Sequence, residues 1–533
     1  MMQSLNTRLR AVRTLALPVM LLLSLAAEMG LAQGGNRRRT QATTTAAVPF
    51  ARARARIQRA LVEEGVPSMA IAVARGGQIV WEEGFGWADR EARRPASAHT
   101  MYSLASISKP ITATGLMVLV QRGLVSLDRP INAYLGKAKV DGRAFDASAA
   151  TVRRVANHTA GLPLHFQFFY ADEPYQRPAM DETIRRYANL VTAPGERWHY
   201  SNLGYGLLDY LIERVSGQAY ADFMRETVFA PLGLTRMSVH IPPGQEAHTA
   251  TRYAPDGTPL PFYTFDHPGG SAVFASAHDL VRFGMFHLKD HLPDQQAVLS
   301  DASIDEMARG TAETTRSGSY GVGWQRTKSA RGGETVSHSG GMDGVSTRLV
   351  LVPAGDAAVV VLSNGANGAV GEVQAEVLAE LFPQWFDAPV AAPPAALPTV
   401  PAGSPVFTPM PQVVGEWIGT IDTHLGVRTL RLSVRSDGSA YARVDAQPWA
   451  LVNDARFEDG FLRGNVAASV GNPDAERMPY DLQLELKLRG DGSGAVLNGG
   501  VVARSRVTRQ RIGHALTHWA QLTRRDGNGV DGG

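Results

Sequence analysis

Cysteine is absent from all 533 residues. That absence excludes disulfides, cysteine-ligated zinc, iron–sulfur clusters, a thiol nucleophile and a lipid anchor on cysteine. Charge of one sign is nearly absent as well. The formal net charge is +3, of which Arg8, Arg10, Arg13 and Glu28 carry +2, leaving +1 once the leading segment is set aside. A balance this close to neutral gives no electrostatic basis for a nucleic-acid partner. Long apolar runs are missing too. Thr14 to Ala27 is apolar but falls short of the roughly 18 residues that read as a membrane span, and no other segment comes near that length. The chain also lacks G-x-S-x-G, H-E-x-x-H and a Walker lysine loop. Nor do His, Asp and Glu cluster at metal-ligand spacing, so neither a metal nor a cofactor is expected.

What is present is ordinary globular composition, 44% hydrophobic and 19% charged. Disordered, collagen-like and coiled-coil classes are thereby excluded. A chain of this length suggests two to four domains. Residues 1–32 read as a signal peptide: Arg8, Arg10 and Arg13, then the apolar run, then Gly30-Leu31-Ala32 as a small-x-small cleavage signal. The protein is therefore expected to be exported, periplasmic or secreted, with no membrane span after cleavage. Residues 33–48 read as a flexible tether. Within 49–386, Ala51 to Glu64 has helical spacing, and Met69–Ala74 and Gln78–Gly84 are strands joined by Arg75-Gly76-Gly77. From about 100 to 290 the spacing is mostly helical. Strands return at Glu334–His338, Val345–Pro353 and Ala357–Ser363, followed by a helix, Val370 to Leu381. Strand pairs at both ends of a helical middle predict an α+β fold, one antiparallel sheet with helices packed on it and a helical insertion.

Residues 387–410 are rich in Pro and Ala and read as a linker. Beyond it the pattern alternates. Leu482, Leu484, Leu486 and Leu488 have polar residues between them, and Trp417–Thr423, Arg428–Val434 and Ala495–Val502 are further strands. Residues 411–523 thus predict a small antiparallel all-β domain, a barrel or sandwich, and 524–533 a Gly-rich tail.

Ser106-Ile107-Ser108-Lys109 opens a helical run that reaches Arg122. Residues three apart share a helix face, so the Lys109 amine can reach the Ser106 hydroxyl. A serine needs a neighbouring base to become a nucleophile, and a desolvated lysine can be that base. S-x-x-K alone is a weak signal. The scarcity of lysine sharpens it: there are six lysines against 47 arginines, and only Lys109 has a serine three residues before it. Arginine cannot give up its proton; lysine can.

Two further elements join it. Tyr200-Ser201-Asn202 precedes a helical run, Leu203 to Val215. A phenol beside an ammonium can accept a proton, and an amide can hold the lysine and a substrate carbonyl. A second Tyr-x-Asn, Tyr187-Ala188-Asn189, falls in the helical run Asp181–Leu190 and is expected to pack or be solvated. The third element is His338-Ser339-Gly340 at the end of a strand, before Gly341. Glycine on an edge strand lets a substrate backbone approach. His338 could donate to a substrate carboxylate or to the Tyr200 oxygen. His267-Pro268-Gly269 reads as a loop, since its proline lacks the N–H a strand needs.

The order S-x-x-K, Y-x-N and H-x-G resembles the serine β-lactamase and penicillin-binding-protein superfamily, in particular its class C β-lactamase-like hydrolases. Asn157-His158-Thr159-Ala160-Gly161-Leu162-Pro163, Gly269-Gly270-Ser271 and Tyr320-Gly321-Val322-Gly323-Trp324 are similar as well. The resemblance covers about 50–385. The C-terminal domain resembles only the lipocalin-like barrels that often follow such hydrolases, and supplies no motif residue. The resemblance implies Ser106 as acyl-enzyme nucleophile, Lys109 assisting its deprotonation, Tyr200 as base and Asn202 as orienting group. His338, Ser339, Gly340 and Gly341 would bind substrate, and the backbone N–H groups of Ser106 and of a residue near Gly341 would form the oxyanion hole. Class C β-lactamases carry K-T-G at the third element; here His338 stands in its place. The expected substrate is a small-molecule ester or peptide, cell-wall material being one source, with β-lactam hydrolysis weak at best. The alternative is a catalytically silent cell-wall-binding or sensor protein on the same scaffold.

Overall fold

The computed structural model describes residues 49–314, 318–389, 410–506 and 511–525. The signal peptide and tether expected over 1–48, nearly all of the linker and most of the tail lie outside the described residues. Among the described residues, nine strands form one sheet in which every pairing is antiparallel. Its centre joins the two ends of the hydrolase-like region. Ser68–Arg75 lies between Gln78–Asp89 and Ala357–Ser363, with Met69 opposite Ser363 and Ala74 opposite Ala358. Val345–Val352 and Glu334–Met342 follow outward.

The sequence Met69-Ala-Ile-Ala-Val-Ala74 explains how this strand is covered on both faces. Side chains alternate along a strand. Met69, Ile71 and Val73 pack with Ile57 of the helix Ala51–Val62 and with Val373 and Val377 of the helix Ala369–Leu381. Ala70, Ala72 and Ala74 face the larger core on the other side. Small residues there let the helix Ala277–Leu288 lie close. A Cβ added at Gly284 would sit 3.1 Å from the Ala358 Cβ. Beneath that helix runs Ser108–Gln121, in which the first twelve residues are buried. A helix apolar nearly all round belongs in an interior.

The helical middle holds one departure from expectation. Phe166–Tyr170 and Tyr263–Phe265 are short strands that pair with each other. The first also pairs with the C-terminal domain, Gln167 opposite His514 and Phe166 opposite Ala515. That domain is a closed barrel of eight antiparallel strands, Gly415–Thr423 meeting His514–Arg524 to shut it. Leu482, Leu484 and Leu486 are buried in its core, as their alternation requires. The barrel rests directly on the hydrolase-like region. Arg197 reaches Glu485 at 2.8 Å, and Glu196 takes both Arg489, at 2.9 Å, and Lys487. Tyr187, from the second Tyr-x-Asn, is buried here and donates to Asp474 at 2.6 Å. Its helix spans Met180–Tyr187, so Asn189 lies beyond the end.

Candidate active site

Ser106 sits in a tight turn, the 3-10 helix Ala105–Ile107, which leads into the α-helix Ser108–Gln121. The expected single helix is thus split. In a 3-10 turn residues i and i+3 eclipse, which keeps Ser106 and Lys109 on one side. Ala105 takes the left-handed conformation, φ 48°, an uncommon state for a residue with a Cβ. The turn is tied down around it. The Leu104 carbonyl accepts from the Thr347 hydroxyl at 2.9 Å, the Leu104 N–H donates to Val273 O, and Ser108 Oγ accepts from Val273 N–H.

Lys109 is fully buried. Its Nζ lies 3.2 Å from Ser106 Oγ, 2.8 Å from Asn202 Oδ1 and 2.9 Å from Gly270 O. Burial holds the ammonium well below its ordinary value, because desolvation disfavours the charged form. Nζ donates to all three oxygens; once it has lost a proton, two N–H groups remain for Asn202 and Gly270 and the lone pair is free to take the Ser106 hydroxyl proton.

Ser201 caps the helix Asn202–Ser216, accepting from Gly204 N–H and donating to Pro163 O at 2.6 Å, a favoured N-cap arrangement. That cap fixes its neighbours on either side. Asn202 turns toward Lys109, and the Tyr200 phenol hydrogen-bonds Ser106. Lys109 Nζ stands 4.7 Å from the Tyr200 ring centre. Burial pushes the phenol above its ordinary value, and the Ser106 hydrogen bond offsets only part of that. Tyr200 is therefore a neutral phenol rather than a phenolate beside an ammonium. His158 backs it, with ring centres 4.4 Å apart, and accepts the Ser201 N–H at 3.1 Å.

The third element lies within the strand Glu334–Met342, not at its end. Alternation turns His338 and Gly340 to the helical side and Ser339 and Gly341 to the other. His338 is buried, and its partners differ from those expected. Its Nδ1 donates to Ser339 O at 2.7 Å, and its Nε2 accepts from the Tyr320 hydroxyl at 2.9 Å. Burial lowers the imidazole to about 3, with Lys109 adding to the effect. Gly340 packs on the Ser106 turn, where an added Cβ would come 2.1 Å from Leu104 O.

Ser106, Tyr200, Asn202 and Gly341 line one cavity of about 170 Å³. His338, Ser339 and Gly340 are not among its lining residues. The cavity walls are apolar: Leu164, Phe166, Phe168, Met342 and, from the barrel, Ile512. The barrel, expected to supply nothing to the motifs, thus supplies a wall. Two lining residues were given no site role by the sequence, His267, set aside as part of a loop, and Ser271, noted only within a family-like stretch. His267 is the N-cap of a short helix, Pro268–Ser271, and hydrogen-bonds Asp266. The signal available was an adjacent acid–histidine pair ahead of Gly269-Gly270-Ser271. Among the described residues, Glu82, His99 and His278 bring ligand atoms within 4.8 Å of one another, but they face solvent and do not line this cavity.

The Beta-lactamase family model matches residues 53–381. Esterase EstB of Burkholderia gladioli is 30% identical over 316 residues, covering 51% of this chain and 78% of that protein. Penicillin-binding protein 4* of Bacillus subtilis (strain 168) is 29% identical over 315 residues, 55% of this chain and 67% of that protein. The octameric penicillin-binding protein homologue from Pyrococcus abyssi has a similar fold, with a TM-score of 0.56 at 20% identity over 89% of this chain and all of that one. The match over most of the sheet and its helices, together with a serine and tyrosine lining one cavity and a buried lysine behind the serine, places the chain in the beta-lactamase family as a serine hydrolase.

Proposed function

We propose that this hydrolase is exported and works through an acyl-enzyme on Ser106, with small esters or peptides as substrates and weak action on β-lactams. The observation that carries the reading is the placement of the buried Lys109 amine 3.2 Å from Ser106 Oγ, with Asn202 and Gly270 taking its N–H groups. The neutral amine takes the Ser106 proton as Oγ attacks the carbonyl carbon. Tyr200, a neutral phenol bonded to Ser106, passes a proton to the leaving group. Backbone N–H groups of Ser106 and of a residue at Gly341 face the developing oxyanion, the kind of preorganised stabilisation that is worth several kcal/mol. Export rests on the pattern of residues 1–32.

Two features favour neutral, apolar substrates. The cavity is small and walled by Phe166, Phe168, Met342 and Ile512. The histidine that stands where class C enzymes carry lysine is uncharged at neutral pH. A substrate carboxylate then loses a charge-assisted contact, worth roughly 1.5–3 kcal/mol, or about tenfold to more than a hundredfold in rate. Measured kcat/KM for a p-nitrophenyl ester should exceed that for a penicillin, and His338→Lys should move the ratio toward the penicillin. A wild-type preference for the penicillin would refute the substrate assignment. A folded lysine variant with an unchanged ratio would show that position 338 does not read the carboxylate.

A further inference from the structure

Glu82, His99 and His278 are far apart in the sequence and meet at one place on the surface, their ligand atoms within 4.8 Å of one another. Three separate pieces of the fold deliver them. Glu82 stands on the strand Gln78–Asp89, His99 in the loop that leads to Met101, and His278 in the first turn of the helix Ala277–Leu288. Backbone contacts hold these pieces together. The His278 N–H donates to Ala98 O at 3.1 Å. Ser97 packs on the strand so closely that a Cβ at Gly84 would sit 2.3 Å from its Cα. Ser276 caps the helix, accepting from the Asp279 N–H at 3.0 Å. Such a frame fixes where the three side chains start and leaves only their tips to adjust.

The pairing of Glu82 is unusual for a chain this rich in arginine. The neighbouring Glu83 takes Arg54. Among the described residues no lysine or arginine pairs with Glu82; its partner is His278, with Nδ1 2.7 Å from Oε2. The ring centres of His99 and His278 are 4.7 Å apart, and the rings are tilted by 46° rather than stacked. Two imidazoles and a carboxylate therefore converge on one point.

We propose that Glu82, His99 and His278 form a binding site for a divalent transition-metal ion of the zinc class, with water completing its shell. Two imidazoles and one carboxylate suit zinc, nickel or copper, whereas calcium and magnesium call for oxygen donors. Donors on a tetrahedral ion at about 2.0–2.1 Å lie roughly 3.3 Å apart. Small rotations of three exposed or half-buried side chains close that gap. Binding displaces any proton held between the donors. The helix end is positive, and Asp279 in the same first turn offsets it together with Glu82. None of the three ligands lines the Ser106 cavity, so the ion acts as a brace. Tyr102 and Ser103, just past His99, pair with Ala275 and Phe274, just before His278. The ladder continues into the Ser106 turn, where the Leu104 N–H donates to Val273 O. An ion at the head of this ladder clamps the two segments that carry Ser106 and Gly270.

The test is calorimetric titration of the full-length protein, stripped with EDTA, with zinc chloride and in parallel with calcium chloride. Wild type should take up one zinc per chain and no calcium at the same concentration. Its Tm should rise by about 2–5 °C at about a hundredfold excess of zinc over Kd. His99→Ala and His278→Ala should each weaken zinc binding at least about tenfold, since losing a group that merely orients a ligand already costs that much. Combining both with Glu82→Gln should abolish the binding and the Tm rise. The combined variant should keep its metal-free ester kcat/KM within about twofold of wild type, as surface substitutions do. A wild type that binds no stoichiometric zinc would overturn the proposal. So would equal binding and an equal Tm rise in the combined variant, which would place the ion on other histidines, or uptake of calcium equal to that of zinc.

Discussion

Gly340 and Gly341 are neighbours with opposite duties. At Gly340 a methyl group would meet Leu104 O at 2.1 Å and Thr347 Oγ1 at 2.3 Å. The strand could accept it only by moving off the Ser106 turn. Gly340→Ala should therefore lose about 1–3 kcal/mol of stability, as overpacking does, and most of its kcat/KM. At Gly341 a Cβ meets nothing within 4 Å and points to the face away from the Ser106 turn. Gly341→Ala should keep wild-type stability within about 0.5 kcal/mol and leave kcat/KM close to wild type. Denaturant unfolding beside ester kinetics separates the two; equal effects at both positions would contradict the geometry. The pair also marks what single residues disclose in a sequence. Ser106, Lys109 and Asn202 were legible because a three-residue spacing and one helix start bring them together, and Lys109 because lysine is scarce. His338 was legible as a motif position but not in its partners, which depend on Tyr320 from a strand two places away in the sheet. His267 was passed over because a following proline argues against a strand, whereas here it opens a helical turn.

Among elements, the strand Tyr480–Arg489 does the most to seat the barrel. Residues two apart share a face, so Glu485, Lys487 and Arg489 all point to the loop at Glu196 and Arg197. Glu196 is lowered to about 2: burial opposes its ionisation, and Lys487 and Arg489 outweigh the burial. Its folded value lies below the unfolded 4.5, so the pairing stabilises the protein above about pH 4.5 and is lost as pH falls through 2. Glu196→Gln should cost about 1–3 kcal/mol at pH 7, and the deficit should shrink below about pH 4.5 and close as pH falls through about 2. Unfolding midpoints of both proteins across pH 2–7 check this; a variant as stable as wild type at pH 7 would contradict it. Local pattern foretold the barrel strands, because Leu482, Leu484 and Leu486 alternate within one segment. It could not foretell Phe166–Tyr170 as a strand, since part of its partner lies over 340 residues further on. Nor did it disclose the three-residue strands Ala312–Thr314 and Gly318–Tyr320, which are too short to show a period.

For the whole molecule, the buried histidines set the response to acid. His287, His338 and His518 are each lowered to about 3 by burial, against about 6.5 in the unfolded chain. Above pH 6.5 both states are neutral and these groups add nothing. Between 6.5 and 3 the unfolded chain binds protons that the native state refuses, so stability falls as pH falls, by up to about 1.4 kcal/mol per pH unit for each histidine. Calorimetry should show Tm dropping steadily below pH 6.5, and a flat Tm from pH 7 to 4.5 would contradict this. The architecture at this scale was readable because strand pairs at the two ends of 49–386 needed each other, and Met69–Ser363 pairing meets that need. The seating of the barrel against the cavity was not readable, because it depends on ion pairs and an apolar wall between distant segments. The central claim is that Ser106, activated by Lys109, is the residue that becomes acylated. Treating the full-length protein with a fluorophosphonate and mapping the adduct by peptide mass spectrometry tests it most directly. The adduct should appear on Ser106 at one per chain and disappear in Lys109→Arg, while labelling of any other serine, or undiminished labelling without Lys109, would contradict the account.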